Sequence, residues 1–444
     1  MLKNIFIIAM FMLSITAIGS DFKVGIGRKI ITPQEPPIWM GGYASRSKPA
    51  DGVFQDIWAK ALVIESSTQN KVIIVTMDLH KFSRQMSEEV IKQITQIYGI
   101  ERSQLILNVS HNHSGPMIWP NADMLDFKPV DQQAIFLYSQ EIIKSLMEIV
   151  ERAMKNLEPA LLSSGHGEAF FGKNRRDPKL TYRPEDHDVP VLKIETPDGT
   201  LKAILFGYAC HNTTLGGNNY QISGDYAGFA QIELEKAFPG TTALFFQGCG
   251  GDINPQPGGN FTFAEQNGRS LAEAVKKVLS EKLTPVRPPI RTDYKIVDLN
   301  FKPFNLDLYQ KEILSKDRYI QRRAKFMLLA FNNGWDLSKF AYPVQAVRFN
   351  NDLTLLALGG EIVVDYSLMV KKMYPKENMF VAGYCNEVIC YIPSRRVINE
   401  GGYEPNTSMI YYVLPGPFDE SIEDKVMGAI KHVLKNTGIN SRAK

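Results

Sequence analysis

The sequence predicts an α/β fold. Three features carry that expectation: apolar runs of the length of a buried strand, intervening segments with apolar residues at helical spacing, and the alternation of the two along the chain. A fourth regularity bears on function, because several strands stop abruptly at a histidine, an acid or a tyrosine.

Taken in order, residues 22–26 and 58–64 read as strands, separated by a loop rich in proline and glycine around Trp39-Met40-Gly41-Gly42-Tyr43. Residues 71–78 form a buried strand ending in Asp78, for which a capping or supporting role is the ordinary one. Residues 87–98 set Val90, Ile91, Ile94 and Ile97 on one helical face and lead into a strand at 105–109. Directly after it comes His111-Asn112-His113-Ser114-Gly115-Pro116. A long helix follows at about 131–155, its apolar stripe (Ile142, Leu146, Ile149, Val150, Met154) being core. Strands are expected at 161–171, ending near Asn174-Arg175-Arg176, and at 189–195 and 203–210, the last running into His211. A helix from Ser223 to about Ala237 and a strand at 243–246 precede a glycine-rich turn, Gly248 to Pro255. That turn lacks the Gly-Lys-Ser/Thr of a phosphate loop, so its glycines are read as allowing close backbone approach. A helix at 263–279 and the prolines between Pro285 and Pro289 form the clearest seam. Beyond it lie strands at 294–299, 344–349, 353–358 and 379–383, the last two reaching Gly360-Glu361 and Tyr384-Cys385-Asn386, and a helix at about 419–434.

With 44% hydrophobic and 10% aromatic residues, the 444-residue chain can bury a substantial core. Its 50 basic and 47 acidic residues give a formal charge of +3, which selects neither nucleic acid nor anionic membrane. Residues 1–19 have the pattern of an export signal: Lys3, an apolar run from Ile5 to Leu13, then Ala17-Ile18-Gly19. The expected mature product, residues 20–444, is one domain without a transmembrane segment, secreted or periplasmic. Four cysteines are no disulfide framework for such a length, so packing is their expected role.

The chemistry gathers at the strand ends. In an extended loop His111 and His113 share one side, and imidazole serves both as a zinc ligand and as an acid or base near neutral pH. A pair of turn histidines is the ordinary alternative. Arg175 and Arg176 read either as solvated surface charge or as ligands for an anionic group. His111, His211, Glu361 and Tyr391 together offer nitrogen and oxygen donors suited to zinc.

These pieces resemble the neutral/alkaline non-lysosomal ceramidases. The resemblance runs from Val24-Gly25-Ile26-Gly27-Arg28 to Tyr403-Glu404 and rests on the loop at 111–116, Gly251 to Pro255, Gly360-Glu361, and Gly383 to Asn386 with the tyrosines that follow. It implies mixed sheets with flanking helices and one zinc ion per chain held by His111, His211, Glu361 and Tyr391. It also implies His113 as acid/base, and Arg175, after Asn174, and Tyr403 as groups that assist the substrate oxyanion. Asn174, Asn254 and Arg176 are expected at the substrate. Asn254 stands where the ceramidases have serine, and no immunoglobulin-like domain is expected after the catalytic one. The implied activity is zinc-dependent hydrolysis of the amide or ester of an N-acylated, ceramide-like substrate. Two alternatives stay open: a zinc enzyme acting on an acidic glycan, with Trp39 and Trp119 at the sugar, and a binding protein that keeps a structural metal.

Overall fold

A computed structural model describes residues 21–439, so the export signal expected at 1–19 falls outside the described residues. The α/β expectation holds, as two stacked sheets between helical layers. The larger sheet has nine strands: β1 (Phe22–Ile30), β2 (Trp58–Ser66), β3 (Lys71–Met77), β4 (Leu105–Val109), β5 (Glu158–Glu168), β6 (Asp188–Glu195), β7 (Leu201–Tyr208), β8 (Thr242–Gln247) and β9 (Thr284–Val286). Its order is β8-β7-β6-β5-β1-β2-β3-β4, with β9 also on β5. The pairs β3/β4 and β7/β8 are parallel, and the others are antiparallel.

Helices α1 (Arg84–Tyr98), α2 (Pro129–Lys155), α3 (Asp225–Ala237) and α4 (Phe261–Ser280) cover one face of this sheet. Helix α1 begins three residues before the apolar pattern does, because Ser83 caps it by accepting from Met86 N, and it stops at Gly99, whose φ of 64° is left-handed. The other face packs on a four-stranded sheet of β10 (Ile290–Asn300), β11 (Lys339–Phe349), β12 (Leu353–Leu358) and β13 (Met379–Ala382), with Leu62, Ile74 and Leu244 meeting Val347, Leu355 and Phe380. A C-terminal helix, Ile422–Asn436, closes the far side. The proline seam at 285–289 therefore carries the chain from one sheet to the next, and the two sheets share a core.

Two glycines set how closely α2 lies on β1. A Cβ at Gly25 would sit 1.8 Å from the Ala153 carbonyl oxygen, and one at Gly27 1.9 Å from that of Ile149. Both neighbours are backbone, so no rotamer change relieves the clash. Gly25→Ala is expected to destabilise the fold by about 3 kcal/mol, at the upper end of overpacking costs. The check is the midpoint of urea unfolding at unchanged slope; an unshifted midpoint removes the close-packing account.

The sheet curls until its edges meet. Asn108 on β4 takes the backbone N–H of Gln247 on β8 at 2.9 Å, and its Nδ2 donates to the Gly383 carbonyl at 2.9 Å. The loop ends of β4 and β7 thereby face one another, joined by a bridge between Asn112 and Asn212. Two helices that the apolar pattern did not reveal, Leu306–Glu312 and Arg318–Asn332, form an insertion between β10 and β11. Its Arg322 pairs with Asp123 and Asp126, and the Tyr319 hydroxyl donates to the Ala44 carbonyl.

Candidate metal centre

His111 follows β4 with a φ of 55°, a left-handed conformation that costs a non-glycine residue about 1–3 kcal/mol. Tyr384 and Asn386, on the turn after β13, share that region of backbone space. Strained backbone thus collects where the edge strands meet. His211 follows β7. Glu361 and Tyr391 are opposite partners in a short parallel ladder, Glu361–Ile362 with Tyr391–Ile392, reached from β12 through Gly360 at a φ of 68°. Gly251 makes room for this ladder, since a Cβ there would lie 2.6 Å from the Glu361 carbonyl oxygen.

Glu361 Oε2 lies 3.0 Å from Nε2 of both His111 and His211, and the Tyr391 hydroxyl is 3.2 Å from His211 Nε2. The remaining ring nitrogens fix the tautomers. His111 Nδ1 is 2.7 Å from the His80 carbonyl and His211 Nδ1 is 2.6 Å from that of Gly250. A carbonyl only accepts, so each Nδ1 carries a proton and each Nε2 is the nitrogen turned toward Glu361. Burial foremost, and then the Arg175 charge, pushes His211 down to about 4, so it is neutral at pH 7. Burial raises Glu361, but the two imidazoles outweigh it and hold the carboxyl well below the usual range. Nε2 of two fully buried imidazoles and Oε2 of a carboxylate therefore converge on one point. Such a donor set fits a cation. His111, His211 and Glu361 form a group able to hold a metal, with Tyr391 beside it.

Around this core, Tyr412 donates a short hydrogen bond to Glu361 Oε1, leaving Oε2 for the imidazoles. His113 Nε2 is 3.0 Å from His111 Nε2. Its Nδ1 is buried without a partner and faces Gly42, where a Cβ would come within 2.4 Å. Burial first, then the neighbouring histidines, hold His113 well below the ordinary histidine value, so it is neutral and able to accept a proton. Arg175 donates to the Tyr391 hydroxyl and the Gly251 carbonyl at 2.9 Å each, to Glu404 at 3.0 Å and to Asn254 Oδ1 at 3.2 Å. The Tyr403 ring lies 5.6 Å from the Arg175 guanidinium and 5.5 Å from the Tyr391 ring.

A cavity of about 250 Å³ opens on Glu361, Tyr391 and His113 and is walled by Gly42, Tyr43, Tyr403, Tyr411 and Tyr412. Several expected substrate contacts are not on that wall. Arg176 is buried in ion pairs with Glu404 and Glu400, because two carboxylates meet its guanidinium. Asn174 spends its amide on the Pro184 carbonyl and Asp252, and Asn254 faces Arg175. Trp39 stacks on Phe127 at 4.1 Å and joins Trp119 in a separate apolar cluster. Asp78 supports the fold, accepting from Trp58 N and Gln231. All four cysteines are free and buried, as expected of packing residues.

The sequence reading passed over His80, Lys81 and Tyr412. His80 follows a buried strand just as His111 and His211 do, a signal masked by stopping at Asp78. Tyr412 ends a single-turn helix, Met409–Tyr412, which is too short to show a periodicity.

The family model for the neutral/alkaline non-lysosomal ceramidase N-terminal region matches residues 22–278, more than half of the chain. The neutral ceramidase of Mycobacterium tuberculosis is 25% identical over 266 residues, which cover 53% of this chain and 40% of that protein. The neutral ceramidase of Pseudomonas aeruginosa is 26% identical over 262 residues, covering 55% and 38%. These matches thus span about two fifths of the relatives' length. The crystal structure of the Pseudomonas enzyme aligns with a TM-score of 0.74 at 19% identity, over 96% of this chain and 76% of that one. The shared fold therefore extends well beyond residue 278, and on the family match the chain belongs to the neutral/alkaline non-lysosomal ceramidase family.

Proposed function

We propose that this chain is an exported, zinc-dependent hydrolase that cleaves the amide, or ester, bond of an N-acylated substrate. The observation that carries the reading is the convergence of His111 Nε2, His211 Nε2 and Glu361 Oε2 beside an open cavity. Tyr391 is the fourth ligand, its hydroxyl oriented by the Arg175 N–H at 2.9 Å. Zinc held there supplies a Lewis acid and a water activated near neutral pH. His113, neutral and next to the centre, takes the proton from the attacking water and returns it to the leaving nitrogen. The Tyr403 hydroxyl, on the cavity wall, donates to the oxygen that gains charge. Arg175 spends most of its donors on Tyr391, Gly251, Asn254 and Glu404, and so acts chiefly by orienting the ligand tyrosine. Asn254, Asn174 and Arg176 hold Arg175 and its loop in place.

The glycan reading draws support from the cavity wall, which is made of tyrosines and polar side chains and not of aliphatic ones. The structural-metal reading is disfavoured by the open cavity, because structural zinc sites are closed. Among the described residues no helix is long and apolar enough to cross a membrane. The test pairs metal analysis of the purified protein with hydrolysis of a fluorogenic N-acyl sphingosine and a panel of acylated and acidic oligosaccharides. One zinc per chain with amide cleavage is expected. Activity confined to sugars moves the substrate class, and failure to hold metal after reconstitution overturns the reading.

A further inference from the structure

Lys81 lines the same cavity, between His80 and the loop that carries Asn121 and Asp123. Two other lysines, the buried Lys60 and the part-buried Lys371, are saturated. Lys60 Nζ donates to Gln231, Glu235 and the Ala243 carbonyl at 2.7–2.9 Å, and Lys371 Nζ to Asp186 and Asp188 at 2.7 and 2.8 Å. Lys81 forms no hydrogen bond or ion pair with any described residue. Its opposing charges, Asp123 and Glu361, act only from a distance. Both are already engaged, Asp123 by Arg322 at 2.8 Å and Glu361 by the imidazoles and Tyr412. Lys81 is part-exposed on that wall, so water in the cavity solvates its ammonium and no group of the chain competes for it. The ammonium is therefore free to meet an anion that enters the cavity.

The rest of the wall agrees with a polar, ring-bearing headgroup. Tyr43, Tyr403 and Tyr411 present aromatic faces with hydroxyls, and the volume of about 250 Å³ lies below the usual range of ligand pockets, about 300–1,000 Å³. Its size suits a headgroup, and its mouth is open to solvent.

We propose that Lys81 is the anion-recognising residue of the substrate pocket, and that the substrate is an acidic N-acyl compound whose carboxylate or sulfate lies beside the scissile acyl group. This rests on the amidase reading of the metal centre. It differs from a ceramide-like substrate, whose headgroup is neutral, and it moves anion recognition from Arg175 and Arg176 to a lysine facing the open space.

The experiment uses metal-loaded full-length mature protein with matched pairs. N-acetylglucosamine is compared with its 3-sulfate, and an N-acyl amino alcohol with the corresponding N-acyl amino acid, so that the sulfate and carboxylate sources are read separately. Release of the acyl group gives kcat/KM, and calorimetry gives affinity without turnover. Wild type is expected to favour the anionic member of at least one pair by about 10–100-fold, the range of a charge-assisted contact. Lys81→Gln should erase that preference with zinc content retained, and Lys81→Arg should restore part of it. Equal handling of both members by wild type, or a preference that survives Lys81→Gln, overturns the proposal. If the anionic members bind through Lys81 but nothing is hydrolysed, the amidase reading fails and the anion site stands. If neutral amides are hydrolysed with no anion preference, the anion site fails and the amidase reading stands.

Discussion

His111→Ala is expected to strip the metal and abolish activity together. The substitution removes one of two imidazoles that face Glu361 Oε2 at 3.0 Å and leaves His211, Glu361 and a tyrosine to hold a cation. Loss of a supporting partner of a ligand already weakens metal affinity about 10–100-fold, so loss of the ligand itself should exceed that. Metal analysis after dialysis reads the result: about one ion per chain in wild type by the zinc-site reading, and a small fraction of that in the variant. The left-handed backbone at residue 111 is no better suited to alanine than to histidine, so the change in backbone strain is small. A variant that keeps full metal occupancy would remove His111 from the ligand set.

His113→Ala is expected to separate the two properties. His113 is the imidazole on the cavity side of His111, and nothing in the chain occupies its Nδ1. Losing it should leave metal content unchanged and lower kcat by about 10²–10⁴-fold, the usual contribution of a positioned acid or base. The cavity left beside Gly42 can admit free imidazole, and partial rescue by that base is the signature a merely structural histidine would not give. Full activity of His113→Ala on a confirmed substrate would show that another group moves the proton, and His80, whose ring centroid is 4.5 Å from that of His113, would be the next to test.

Much of the frame was legible locally. The run 105–109 is a strand to the residue, because a segment buried on both faces is mostly apolar, its one polar side chain, Asn108, being satisfied by Gln247 and Gly383. His111 and His211 were readable because each follows such a strand. The insertion at 306–332 was not, since its helices are short and carry many charges, with Arg322 and Arg323 buried only by pairing with acids elsewhere. Glu361 and Tyr391 could be named from motifs, but nothing local places two residues thirty positions apart opposite one another in a parallel ladder.

The sequence by itself determined the α/β class, the family and the chemical identity of the donors, because these depend on residue type and short-range spacing. Only the tertiary structure decided which charges are spent and which are free. Arg176 is consumed by Glu400 and Glu404, more than two hundred residues away, whereas Lys81 faces the cavity alone. Pairing of that kind depends on the curl that brings β4 and β8 together and on Glu404 arriving from the end of the chain. A charge is held by its neighbours in space, and the chain order does not record them.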